Sequence, residues 1–236
     1  MINDCASATE KGVYWYMYCL NNPLKYTDPT GQRFVDDIWD FDENGNFLQR
    51  IKTNEFDQIR IWDNARENII TQTEKFAYKT IKQHRPSGYS EGEIRTLDIF
   101  RVQGDDNAQQ IFEFFHNNTT VEWDRTQIGR EGSEKNMIGT SHRENSVSVG
   151  AYLLKNDYNI RSHTHNHHYE PIPSGIETFR KTGVRTMDLR GAELMQAKFP
   201  NVQLNLYTTK YGYSPYNMYG TLDPRFGYLP PVIVKP

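Results

Sequence analysis

Four of the chain's seven histidines fall within six consecutive positions, in Ser162-His163-Thr164-His165-Asn166-His167-His168. In an extended segment residues i and i+2 share a face, so His163 and His165 can converge on one ion while Thr164 points away. Neutral imidazole is a common zinc ligand, and a catalytic zinc takes three protein ligands and leaves its fourth position to water. The pair supplies two of these. A third ligand, and a base to take the water's proton, must come from elsewhere. Histidine-rich tracts also occur as solvated loops or adventitious metal binders, so the neighbouring elements decide.

Stepping outward, Tyr158-Asn159-Ile160-Arg161 leads as a strand directly into His163, and Ser146 to Leu154 extends the alternation before it. The cluster is thus expected at a strand end, presented to a loop-built site. Pro171-Ile172-Pro173-Ser174-Gly175 must turn. Thr186 then caps a helix from about Met187 to Phe199, with Leu189, Ala192, Met195 and Phe199 as its apolar stripe. Asp188 lies in its first turn. Dipole compensation alone accounts for an aspartate there, and the same place holds a carboxylate rigidly against a neighbouring strand end.

Before the cluster, Ala108, Ile111, Phe112 and Phe115 follow Asp105-Asp106-Asn107 at helical spacing, with Glu113 and His116 off the stripe and expected in solvent. Thr119-Thr120-Val121-Glu122-Trp123 reads as a strand in which Glu122 faces away from Val121 and Trp123. Glu122 is either an ordinary solvent-facing residue or a carboxylate aimed into a cleft. Gln127 to Asn145 reads as a long flap, Val202 to Tyr207 as a strand, and the tyrosine- and proline-rich tail to Pro236 as irregular cover.

At the other end, Asn44-Gly45 between Phe34–Phe41 and Phe47–Ile51 signals a hairpin, and Gln58-Ile59-Arg60-Ile61-Trp62 adds a strand. Thr73 to Gln83 is ambiguous, and Arg85-Pro86-Ser87-Gly88 breaks the pattern. The chain has 236 residues, 36% hydrophobic and 24% charged, with a formal net charge of -3, which argues against nucleic-acid binding through a broad basic surface. No apolar run approaches the roughly 18 to 20 residues needed to cross a bilayer, and the N-terminus lacks a signal peptide's apolar core. Cys5 and Cys19 are the only cysteines, so any metal must rest on histidine and carboxylate.

Tyr14-Trp15-Tyr16-Met17-Tyr18-Cys19-Leu20, followed by Asn21-Asn22-Pro23 and Asp28-Pro29-Thr30-Gly31, is physically a strand and two tight turns. From Gly12 to Gly31 the string resembles the end of the core of Rhs/YD-repeat proteins, whose last repeat runs into a DPxG motif before a variable C-terminal domain. The resemblance implies three parts: residues 1–31 as the end of an Rhs core, 32–72 as a β-hairpin linker, and 73–236 as an effector domain. It further implies a toxin delivered into a target cell within a larger Rhs protein, an encapsulating Rhs core and a cognate immunity protein.

The order from Asp105 to Tyr207 is helix, Val121-Glu122-Trp123, a strand ending in Ser162-His163-Thr164-His165, Pro173-Ser174-Gly175, and a helix opened by Asp188. This resembles the JAB-type (JAMM) metalloproteases, and more closely the JAB-like toxin domains of Rhs proteins. The resemblance implies an α+β, JAB/MPN-like (cytidine-deaminase-like) mixed sheet flanked by helices. It makes His163, His165 and Asp188 ligands of Zn2+, Glu122 the general base, and a protein or peptide the substrate, without nucleic acid or membrane span. Asn166 stands where the family has proline, eight residues rather than seven separate His165 from Ser174, and Glu177 stands where aspartate is expected. Glu177 is therefore the rival third ligand; the family's serine three residues before the aspartate is Arg185 if Asp188 is the ligand, which leaves Ser174 as the alternative oxyanion donor. His167 and His168 read as loop or supporting residues. A metal-dependent nuclease, suggested by His165-Asn166-His167, and a non-catalytic Rhs tip with a degenerate site are the alternatives.

Overall fold

The computed structural model describes residues 36–53, 55–84 and 97–226. The Rhs-like segment, with its strand, turns and DPxG motif, and the break at 85–88 lie outside the described residues.

The Asn44-Gly45 signal gives the expected hairpin. β1 (Asp36–Asp42) and β2 (Phe47–Thr53) pair antiparallel. Gly45 takes φ 70°, and the Asp42 carboxylate accepts the N–H groups of Asn44 and Asn46. β3 (Gln58–Trp62) runs parallel to β1, and β4 (Ile69–Gln72) closes a four-stranded sheet in the order β2-β1-β3-β4.

β5 (Ile81–His84) emerges from the ambiguous stretch as the edge of a second sheet, beside β6 (Asp98–Gln103). Helix α1 (Asp105–Asn118) follows. Gly104 occupies its N-cap with no side-chain cap, while Asp105 and Asp106 sit in the first turn, where the dipole favours them. β7 (Trp123–Ile128) begins one residue later than Glu122, so Thr119 to Glu122 is a connection rather than strand. The expected flap contains β8 (Lys135–Thr140), an interior strand between β6 and β7. Its identity is masked by buried polar residues: Asn136 Nδ2 donates to the Asp105 carboxylate, and Thr140 Oγ1 to the Glu122 carbonyl.

The alternation read at Ser146 to Leu154 is instead α2 (Val149–Lys155), because Val149, Tyr152 and Leu153 bury at i, i+3 and i+4. β9 (Ile160–Asn166) carries the histidines. A short α3 (Ile176–Thr182) precedes α4 (Met187–Lys198), whose Leu189, Ala192 and Met195 are buried as the stripe requires. β10 (Gln203–Thr208) is followed by β11 (Gly212–Asn217) and β12 (Gly220–Thr221), so the described part of the tail is sheet rather than cover. The eight-stranded sheet runs β12-β11-β10-β9-β7-β8-β6-β5, and β9/β10 is its parallel pair.

Both faces of this sheet are covered, and neighbouring residues feed opposite cores as a period of two demands. Phe100, Trp123, Ile138 and Tyr207 join α1 and the small sheet's Trp39, Phe41, Ile59 and Ile61 in one cluster. Ile99, Met137 and Leu206 join α2 and α4 in the other. Residues 36–72 thus share a core with the larger sheet. They also touch the segment before β7: the Glu43 carbonyl accepts the Thr120 N–H at 2.9 Å, and a Cβ on Gly45 would lie 2.6 Å from Val121 Cγ2.

Candidate metal centre

β9 is hydrogen-bonded to β7 on one side and β10 on the other, in a register that sets His163 beside Thr126 and Leu204, and His165 beside Asp124 and Leu206. This is the face shared with α2 and α4. The chain stays attached past the strand, since the His167 N–H donates to the Tyr207 carbonyl at 2.9 Å. His167 therefore reaches the same cleft as His163 and His165.

Asp188, in the first turn of α4, meets two imidazoles. Its Oδ1 lies 3.4 Å from His165 Nε2 and its Oδ2 3.3 Å from His167 Nε2. Ligand atoms of these three residues all fall within 4.8 Å of one another. Both ring nitrogens of His165 are buried without a hydrogen-bond partner. Buried polar groups are normally satisfied, so a shared cation fits this donor set. Burial pushes the Asp188 carboxyl upward, but the His165 and His167 imidazoles more than reverse this and hold it well below the usual carboxylate range. His167 is pulled down by burial and raised above its ordinary value by Asp188.

Asp188 is oriented from the far side of a chain excursion. Its Oδ2 accepts the Ser174 N–H at 2.7 Å, and its own N–H points to Ser174 Oγ at 3.4 Å. Between these contacts the chain makes α3 and returns. Gly175 permits the close meeting: its φ is 88°, and a Cβ there would lie 2.3 Å from the Thr186 carbonyl oxygen.

Glu122 is buried and lines the same cleft. Although it precedes β7, the alternation holds: Trp123 enters the α1 core, and Glu122 faces the histidines. Its backbone is fixed by its N–H on the Arg143 carbonyl and its carbonyl on Thr140 Oγ1. Burial, with a smaller contribution from the Asp188 charge, raises its carboxyl to about 8 against the pull of His167.

The structure thus brings His163, His165, His167, Asp188 and Glu122 to one cleft, and the ligand atoms that gather most closely are those of His165, His167 and Asp188. His163 lies beside that group, its ring 5.7 Å from that of His165. Its Nδ1 is 2.9 Å from Thr126 Oγ1, and burial together with His165 lowers it to about 3. Glu177 is exposed and pairs with Arg180 at 3.0 Å. Ser174 borders the cleft with its N–H and Oγ turned to Asp188. Two supporting residues escaped the sequence reading. Asp124, fully buried, accepts the Gly150 N–H at 2.7 Å; its period-two relation to Glu122 is the signal that marks it. Tyr216 lines the cleft with its ring edge-on to His165, centroids 6.1 Å apart.

Behind the site, His116 is buried rather than solvated. Asn166 joins it to β7: Oδ1 accepts the Trp123 N–H, and Nδ2 donates to His116 Nδ1 at 2.8 Å. With Nδ1 accepting, the His116 proton belongs on Nε2, which faces Thr209 Oγ1 at 3.0 Å. Asn166 is a buried strut between the histidine strand and α1.

This is an α+β domain with a mixed sheet, and the His-His-Asp group gathered at the end of β9 is compatible with a metal. Residues 100–192 match the family model described as JAB-like toxin 1, a span that holds Glu122, the histidine cluster and Asp188, so the chain carries a JAB-like toxin domain there. Neither the curated proteins nor the solved structures provide a match.

Proposed function

We propose that this domain is a zinc-dependent peptidase or isopeptidase effector, delivered into a target cell and held in check by a cognate immunity protein. The supporting observation is the convergence of Asp188 on His165 and His167 in a cleft that Glu122 also lines. His165, His167 and Asp188 would hold the ion, with His163 bonded to Thr126 behind them. Bound zinc would supply Lewis acidity, polarising a scissile carbonyl and making water nucleophilic near neutral pH.

The chain's own residues do the rest. Ser174 fixes the Asp188 carboxylate, and Asp124 ties β7 to α2 through Gly150. Glu122, which a bound cation would hold as the carboxylate despite its burial, takes the proton of the attacking water as its oxygen adds to the carbonyl carbon. It passes that proton to the nitrogen as the C–N bond breaks. Among the described residues lining the cleft there is no lysine or arginine, which speaks against the nuclease reading. Glu122→Gln should retain zinc and lose both peptide cleavage and toxicity on expression in a bacterial cytoplasm. Full activity in that variant would refute the mechanism.

A further inference from the structure

The cleft of about 900 Å³ continues past the histidines between α2 and α4, and Gly191 borders it. Glycine is among the least favourable residues in a helix interior, exceeded only by proline. Gly191 is the fifth residue of α4, and its backbone is not among the positive-φ glycines. A Cβ there would meet no atom within 4 Å. Neither backbone conformation nor close packing therefore requires a glycine. What the missing side chain leaves open is the cleft, one turn along the same helix face from Asp188.

The surroundings specify what would enter. Ala151 and Leu154 of α2, Leu194 and Met195 of α4, and Ile172 and Pro173 all line this cleft. Leu194 and Met187 are exposed at 43% and 72%, which leaves apolar surface at the mouth. Apart from its histidines, the ionisable residues lining the cleft are carboxylic acids: Glu122 and Asp188 at the candidate metal group, and at the exposed rim Glu170 and Glu177, the latter paired with Arg180.

We infer that Gly191 sets specificity, keeping open an apolar subsite for a bulky aliphatic side chain next to the bond cut, in a polypeptide that also carries a nearby lysine or arginine. The inference rests on the peptidase reading for the word "cut", but its binding component is separable. The test uses the zinc-loaded full chain with Gly191→Ala and Gly191→Leu, each also in the Glu122→Gln background. The probes are fluorescently labelled glycine–serine peptides carrying a single leucine, the same peptides with an added lysine, and a labelled single-stranded oligonucleotide.

Gly191→Ala should raise the melting temperature. Leucine peptides should bind more tightly than the glycine–serine parents, and more tightly again with lysine. Gly191→Leu should weaken them by about tenfold or more while the protein stays folded. The inference is overturned if leucine confers no advantage, if Gly191→Leu binds as well as the parent, if Gly191→Ala lowers the melting temperature, or if the oligonucleotide is the probe that Gly191→Leu displaces. Leucine-dependent binding without cleavage by the chain bearing Glu122 would sink the peptidase reading and leave the subsite. Cleavage indifferent to leucine would do the reverse.

Discussion

Asp188 and His167, twenty-one positions apart, are neighbours: Asp188 Oδ2 lies 3.3 Å from His167 Nε2 while Oδ1 faces His165. One carboxylate thereby holds two imidazoles from successive same-face positions of an extended segment.

His165→Ala, His167→Ala and Asp188→Ala should each lose zinc on dialysis, whereas His163→Ala should keep most of it, because His163 bonds to Thr126 outside the three-residue group. Metal content per chain, with the zinc-induced rise in melting temperature as a second reading, checks this. Zinc loss in His163→Ala with retention in His167→Ala would restore His163-His165 as the ligand pair.

His116 should make the metal-free protein weaken in acid. Its folded value is about 4 against an ordinary 6.5, chiefly because burial disfavours the cation. As pH falls through 6.5 the unfolded chain takes up a proton that the folded chain refuses. The contribution is therefore whole above that pH, declines toward about 4, and is flat below it. It amounts to roughly 2–4 kcal/mol. Urea titrations across this window should show a steeper loss for the parent than for His116→Gln; equal slopes would refute the assignment.

Gly45→Ala should cost about 2 kcal/mol or more, since φ 70° disfavours an L side chain and the new methyl would press on Val121. It should also lower activity, because Val121 directly precedes Glu122. Thermal unfolding and cleavage assays on one preparation measure both effects.

Gly150→Ala should destabilise by about 1–3 kcal/mol, because its methyl would lie 2.5 Å from His163 Cε1 and 2.9 Å from Met195 Cε. The loss should persist without zinc, which separates crowding of His163 from loss of metal. An unchanged metal-free melting temperature would contradict it.

The parts of the candidate site legible in the sequence are those with a local signature. His163 and His165 share a face because a strand alternates, Asp188 opens a helix that Thr186 and the Leu189–Met195 spacing announce, and Glu122 faces away from Trp123. What escaped depends on distant partners. His167 reads as loop because its backbone bond to Tyr207 is formed by a strand some forty positions later. β8 reads as flap because Asn136 and Thr140 are buried through bonds to residues that no local pattern reveals. α2 reads as strand because Ser146 to Val149 alternates while the following residues bury at helical spacing. His116 falls off the apolar stripe of α1 yet is buried by Asn166 and Thr209.

The Ser174–Asp188 contact closes a ring of chain whose far side is α3. Because both ends are clasped to each other, the position of the carboxylate is set at the neck of this ring rather than by α3 itself. Ile176, Glu177 and Thr178 on that arc line the cleft, so the clasp that orients the candidate ligand also anchors a visor over it.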